Sequence, residues 1–305
     1  MNFHTLPLFQ DEIHQTYARR GDERGAALLI HGFPGTPAEM RPLAEALHAQ
    51  GWSVQALLLP GFGPNIDRLF VQRKEDWLAE VLAAQAALRA DHERVLLIGY
   101  SLGGAIALNV AAQSPPDGLV LLAPFWRVGT GLHRLIWQGL RRLGPEFQPF
   151  KKLDFANPEV RLAFGDMLGN VDLDDPAVQE LFRELRVPVR LVDEVFALGQ
   201  AARAAAAHIH TPTLIIQGDA DPTIAPATTH ELLRALPAPA RYVEVKAGHE
   251  LVKRETAVFP QVRQAVLNFA TGLPVCEKNH FYYAIDVITR QCYTLKGSPP
   301  QRWSD

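Results

Sequence analysis

Three short stretches of this chain hold the residue types that nucleophilic catalysis needs, in an order such chemistry can use. The first runs Val95-Leu96-Leu97-Ile98-Gly99-Tyr100-Ser101-Leu102-Gly103-Gly104. A hydrophobic strand leads into Gly-x-Ser-x-Gly and then into an apolar helix over 105–112. Ser101 therefore occupies a tight strand-to-helix turn with its hydroxyl pushed outward. Glycine at 99 and 103 suits a turn in which backbone crowds backbone. The pentapeptide alone is common, but between a buried strand and a small-residue helix it is far more specific.

A serine hydroxyl is a weak nucleophile near neutral pH and needs a base, itself oriented by a third group. On an elbow of this kind the acid and then the histidine follow the serine along the chain. Thr213-Leu214-Ile215-Ile216-Gln217-Gly218-Asp219-Ala220-Asp221-Pro222 ends a buried strand with two acids. Asp221 is preferred, because it lies beyond the strand end and can turn toward a histidine. Asp219 reads as a turn-capping aspartate. Of 11 histidines, His31 belongs to another loop, His208 and His210 precede a strand, and His230 sits in a helical pattern. His249, in Val245-Lys246-Ala247-Gly248-His249, alone combines the right order with a post-strand loop. Acyl transfer also needs N–H donors aimed at the developing oxyanion. The backbone of Leu102 is one candidate. The other is Phe33, in His31-Gly32-Phe33-Pro34-Gly35, which has the N–H that Pro34 lacks.

The elements that must position these groups are legible as an alternation. Residues 27–31, 54–59, 95–99, 119–123 and 213–217 are near-continuous apolar runs, as in strands covered on both faces, with a weaker candidate at 241–245. Thr36-Pro37-Ala38-Glu39 offers an N-cap, a first-turn proline and a capping-box glutamate for a helix ending before Gly51. Residues 75–89 repeat Leu78, Val81, Leu82 and Leu88 at helical spacing. The alternation implies an α/β fold with a doubly wound, mostly parallel sheet. It breaks over 125–208, where helical patterns (131–143, 157–168, 176–185, 187–207) replace any convincing strand. The expected domains are a core of 1–124 and 209–270, a helical cap of 125–208 over the C-terminal sheet edge, and a β-hairpin extension of 271–305.

Together, His31-Gly32-Phe33-Pro34-Gly35-Thr36-Pro37, Met40-Arg41-Pro42-Leu43, Leu59-Pro60-Gly61-Phe62-Gly63, Asp76-Trp77 and the Ser101 elbow resemble the carboxylesterase and monoacylglycerol-lipase branch of the α/β-hydrolases. The similarity covers roughly residues 25–270. It implies a triad of Ser101, Asp221 and His249, an oxyanion held by the amides of Phe33 and Leu102, and no cofactor. Relatives usually carry Pro-Gly-His-Gly where this chain has Pro60-Gly61-Phe62-Gly63. That histidine is outside the triad, so local packing and substrate preference are the properties affected.

The expected activity is cleavage of carboxylic esters, short- to medium-chain or monoacylglycerol-like, through an acyl-enzyme. The same triad also serves thioesterases, lactonases and C–C hydrolases, and a silent binding fold is the non-enzyme alternative. Phe125, Trp126 and Trp137 are the expected substrate contacts in an apolar acyl pocket. Arg134, Arg141 and Arg142 read as a solvated helix face rather than a lipid anchor. Charge is nearly balanced, 30 basic against 33 acidic residues, which offers nucleic acid no basic patch. No run reaches the roughly 18 apolar residues that cross a bilayer, and the first residues lack the pattern of a secretory signal, so a cytoplasmic location is expected. Cys276, His280 and Cys292 are too irregularly spaced to predict a metal site. The aromatic tail hairpin is expected to pack on the main domain or on a second copy of the chain, as in a homodimer.

Overall fold

The apolar runs form strands because helices cover both of their faces and few polar side chains interrupt them. In this computed structural model, which describes residues 9–22, 25–127, 144–157, 160, 172–273, 283–285 and 292–294, they build one seven-stranded sheet. Its strands are β1 (Tyr17–Arg19), β2 (Ala26–Ile30), β3 (Ser53–Leu57), β4 (Val95–Tyr100), β5 (Gly118–Leu122), β8 (Thr213–Gly218) and β9 (Arg241–Val245), in the order β1-β3-β2-β4-β5-β8-β9. Only β1 pairs antiparallel. Every residue of β2, β4, β5 and β8 is buried, as continuous hydrophobicity requires.

Helices α1 (Pro37–His48) and α7 (Phe259–Thr271) pack on one face, with Met40, Leu43, Val262 and Val266 against Ala27, Leu29 and Ile98. On the other face lie α2 (Lys74–Asp91), α3 (Leu102–Gln113), α5 (Val189–Ala206) and α6 (Pro226–Ala235), where Trp77, Ile106, Leu198 and Leu232 meet Leu28, Ile30 and Leu121. α3 is buried at every position from Leu102 to Ala111, so its lack of a polar stripe marks a central helix. Each such face removes roughly 25 cal/mol of apolar hydration cost per Å² buried, the main term holding the layers together.

Between β5 and β8 the chain leaves the sheet. There the structure gives α4 (Pro176–Glu184), α5 and an antiparallel pair of two-residue strands, β6 (Glu146–Phe147) and β7 (Val187–Pro188). The absence of strands expected in this stretch is therefore corrected. Two residues, one of them proline, carry no alternation for a sequence reading to detect. α5 consequently begins at Val189 rather than 187. The helical patterns at 131–143 and, apart from residues 157 and 160, at 157–168 lie outside the described residues, as does Trp137.

The chain divides into two compact units, Met1–Leu273 and Pro274–Asp305. In the second, β10 (Tyr283–Ile285) and β11 (Cys292–Thr294) pair antiparallel with Tyr283 opposite Thr294. The expected hairpin is present; Cys276 and His280 lie outside the described residues.

Candidate active site

Parallel strands deliver their C-terminal ends to one edge of the sheet, and the three sequence candidates meet there. Ser101 follows β4 with φ +51° and ψ −115°, a conformation a non-glycine residue rarely adopts. It is over-determined: its N–H donates to the Leu122 carbonyl (2.9 Å), and its carbonyl accepts from Gly104 and Phe125 (2.9 Å each). A Cβ at Gly99 would sit on the Gly103 carbonyl, and one at Gly103 on the Ile30 carbonyl, so both must be glycine for β4 and α3 to close the turn. The strain at Ser101 aims its hydroxyl out of the fold.

His249, four residues past β9, places Nε2 3.0 Å from Ser101 Oγ and Nδ1 2.7 Å from Asp221 Oδ2. The Tyr100 hydroxyl donates to the His249 carbonyl at 3.1 Å, tying this loop to β4. Asp221 Oδ1 accepts from the amides of Thr223 and Ile224, both at 2.8 Å. Burial opposes ionisation of Asp221, but the His249 hydrogen bond and those two amides outweigh it and hold the carboxyl below its ordinary range. Asp219 does what a turn aspartate does, accepting from the Ala247 amide at 3.2 Å.

Sequence reasoning missed Gln217, the penultimate residue of β8. Fully buried, it donates through Nε2 to Asp221 Oδ2 (3.1 Å) and to the carbonyls of Ile224 (3.0 Å) and Gly218 (3.2 Å). Thr229 Oγ donates to its Oε1 at 2.6 Å, which fixes the amide orientation. A polar residue inside an otherwise apolar strand was the available signal.

The loop after β2 is held from both ends of Gly32. His31, buried and pushed down to about 4 by desolvation despite its hydrogen bond to Gly32, is a neutral imidazole. Its Nε2 accepts from the Leu59 amide (3.2 Å), so Nδ1 carries the proton it donates to the Gly32 carbonyl (2.8 Å). The Gly32 N–H donates to Glu39 Oε2 at 3.1 Å. This corrects the expected capping box: Thr36 does cap α1, accepting from Ala38, but Glu39 reaches to the loop. Phe62 is fully buried. It packs edge-on against His31 (5.0 Å) and Phe33 (5.8 Å), supporting the loop from below.

Ser101 opens onto a cavity of about 470 Å³. Phe33 and Leu102 line it, with Leu69 and Phe70 from a 3₁₀ segment (Gly63–Val71) and Phe150, Leu191 and Val192 from the β5–β8 connection. Ser101 and Thr223 are the only polar side chains among its described walls. Phe125 lines it. Trp126 does not: it is buried in the core and its indole donates to the Thr228 carbonyl at 3.0 Å. Among the described residues there is no cluster of metal-ligating side chains and no helix long and apolar enough to cross a membrane.

Residues 21–256 match the family described as serine aminopeptidase, S33. A thermostable monoacylglycerol lipase of Bacillus sp. (strain H-257) is 35% identical over 99 residues, 32% of this chain and 39% of that protein. A pimeloyl-[acyl-carrier protein] methyl ester esterase of Neisseria meningitidis serogroup C is 30% identical over 72% of this chain and 85% of its own. The chain spans between 39% and 64% of the lengths of the first curated relatives it matches. A solved monoacylglycerol lipase of Paleococcus ferrophilus superposes with a TM-score of 0.61 at 21% identity, covering 84% of this chain and 98% of that one. By the family match over residues 21–256, most of its length, this chain belongs to the serine aminopeptidase S33 family, and by the sheet and elbow described above it has the α/β-hydrolase fold.

Proposed function

We propose that the protein hydrolyses carboxylic esters of apolar acids, short- to medium-chain or monoacylglycerol-like, through an acyl-enzyme on Ser101. The observation that carries this reading is the hydrogen-bonded chain Ser101–His249–Asp221, at 3.0 and 2.7 Å, ending on a cavity walled almost wholly by apolar side chains. Ser101 Oγ attacks the ester carbonyl carbon while His249 Nε2 takes its proton. The carbonyl oxygen becomes an oxyanion, held by the amides of Leu102 and Phe33. Leu102 opens α3 and has no carbonyl one turn earlier in the helix to accept its N–H. A trans peptide sets C=O and N–H in opposite directions. His31, by holding the Gly32 carbonyl, therefore turns the Phe33 N–H away from itself.

The tetrahedral species collapses with cleavage of the ester C–O bond, and the alkoxide takes the proton from His249. Water then gives a proton to His249 and attacks the acyl-enzyme. The acid leaves, and Ser101 regains its hydrogen. Asp221 holds the imidazole with Nδ1 protonated and stabilises the imidazolium formed twice per cycle.

The family description names an aminopeptidase, which must hold a free ammonium beside the scissile carbonyl. No carboxylate lines the cavity among its described residues, which favours esters of apolar acids over peptides with a free amino terminus. Each methylene buried in such a wall contributes about 0.8 kcal/mol of binding.

The test is hydrolysis of a p-nitrophenyl ester series, together with labelling by a fluorophosphonate. Ser101→Ala should lose labelling and at least about 10⁴-fold in kcat. Hydrolysis by that variant at the wild-type rate ends this reading.

A further inference from the structure

The geometry points to Glu39 as a positioning residue for the oxyanion loop, one that grips Gly32 by its amide and is better at doing so when ionised. This rests on the acyl-transfer reading above, because the loop matters only if Phe33 donates to an oxyanion.

Glu39 lies on α1, seven residues past the glycine it binds. Its carboxyl packs against Gly35 and accepts the Gly32 N–H, so it touches the loop on both sides of Phe33 and Pro34. His31 restrains the Gly32 carbonyl from the opposite direction. Holding both ends of one residue fixes the plane of the following peptide, and that plane carries the Phe33 N–H. His31 alone leaves rotation about its own hydrogen bond. With the Glu39 anchor added, the donor's direction is set before substrate arrives, as electrostatic preorganisation requires.

The titratable groups that face Glu39 come from β4 and from the loop after β9. Tyr100 stands on β4, while His249, Glu250 and Lys253 stand on the loop after β9, where Lys253 pairs with Glu250 at 3.0 Å. Desolvation raises the Glu39 carboxyl to about 7, reinforced by Glu250 and opposed by the Gly32 amide, Lys253 and His249. Glu39 thus ionises within the working range of a neutral-pH hydrolase. Once ionised it offers Gly32 a charge-assisted acceptor, roughly twice as strong as a neutral one. The same negative charge faces the imidazolium that forms on His249 in the transition state. Both effects favour turnover and leave ground-state binding nearly alone, because Glu39 does not line the acyl cavity.

The experiment compares kcat and KM for p-nitrophenyl butyrate from pH 6 to pH 8.5 in wild type, Glu39→Ala and Glu39→Gln. Glu39→Ala should lower kcat about twofold at pH 6 and about tenfold at pH 8.5, with KM within about twofold, since a misdirected donor weakens transition-state binding only and the anchor lost is stronger once ionised. Glu39→Gln keeps an acceptor for Gly32 but cannot ionise. Its kcat should therefore fall progressively further below wild type as pH rises through 7, reaching about a fivefold gap at pH 8.5. A purely structural glutamate would give a pH-independent deficit. Superimposable wild-type and Glu39→Gln profiles, or an unchanged kcat in Glu39→Ala, overturn the inference. Should Glu39→Ala fail to fold, the isosteric Glu39→Gln still decides it by its profile. Ser101→Ala, run alongside, keeps the two questions apart. Retained hydrolysis there defeats the triad itself, whereas its loss beside wild-type-like Glu39 variants defeats only the role given to Glu39.

Discussion

Two walls meet at Ser101, and they are made by opposite rules. Behind the serine lie the ends of β2, β4, β8 and β9, where polar atoms are fixed by several partners at once. Asp221 alone accepts from His249, Gln217, Thr223 and Ile224. In front lies the cavity, whose apolar walls offer contact and volume but hardly a directional bond. The first wall comes mainly from segments anchored at the ends of sheet strands, of which β2, β4 and β8 are buried throughout. Much of the second comes from the excursion between β5 and β8. Direction matters for proton transfer and oxyanion binding, where ångström errors are costly, and volume suffices for choosing an acyl chain. A substitution behind the serine should therefore act on kcat for every substrate alike, whereas one in front should reorder substrates.

The sharpest way to break that contrast is Gln217→Leu. The change keeps β8 apolar but strips Asp221 of one donor, leaves the Thr229 hydroxyl without its acceptor, and frees the carbonyls of Gly218 and Ile224 inside the protein. Buried polar networks that lose one member leave the others desolvated, so about 2–4 kcal/mol of stability should go in a denaturant titration. With Asp221 free to rotate, kcat should drop about 100-fold while KM stays within about threefold for short and long esters alike. A variant that changed chain-length preference instead would show that the two walls are not separate.

Val192→Phe tests the other wall with a smaller effect. Val192 lines the cavity from α5 and is partly exposed, so a larger ring fills space without crowding the core. Blocking room for two methylenes removes about 1.6 kcal/mol of acyl binding, or about 15-fold in kcat/KM for chains long enough to need it. Hydrolysis of p-nitrophenyl acetate should change less than about threefold. A uniform loss across the series would instead mean that α5 supports the catalytic side.

The same contrast separates what the sequence revealed from what it concealed. Strands buried on both faces are largely apolar, so β2, β4, β5 and β8 were readable within a residue or two, and the elbow announced itself by its glycines. Ser101 and Asp221 each follow such a strand, β4 and β8, whereas His249 follows the partly exposed β9 and was legible from its order along the chain and its loop. Glu39 and Gln217 stayed hidden for a shared reason: each first satisfies a local pattern. Glu39 sits where a capping box wants a glutamate, and only the fold brings Gly32 close enough to compete for its carboxylate. Gln217 looks like the polar end of a strand until Asp221 and Thr229 close around it. Trp126 misled in the opposite way. An aromatic beside Phe125 looks like a cavity wall, yet successive side chains diverge, and its neighbour's role did not pass to it. The β6–β7 pair is too short to carry any period at all.

The smallest expected effect is also the one that joins the two subjects of stability and turnover. An unfolded chain releases the Glu39 proton near pH 4.5, whereas the folded protein, because burial disfavours the charge, holds it until about pH 7. Between those values the folded state binds more protons than the unfolded one, so stability falls as pH rises through that window and stays low above it. Glu39→Gln, which cannot ionise, escapes the loss. Because Glu39 keeps part of its surface in solvent, the full linkage of about 3 kcal/mol is discounted to about 1 kcal/mol, so the Tm of Glu39→Gln should match wild type at pH 4 and exceed it at pH 8 by about 2–4 °C. An equal gain at both pH values would assign the effect to packing rather than charge. If the gain appears only at pH 8, where the same variant turns over more slowly, then Glu39 is a carboxylate kept at the expense of stability for what it does to the loop beside Ser101.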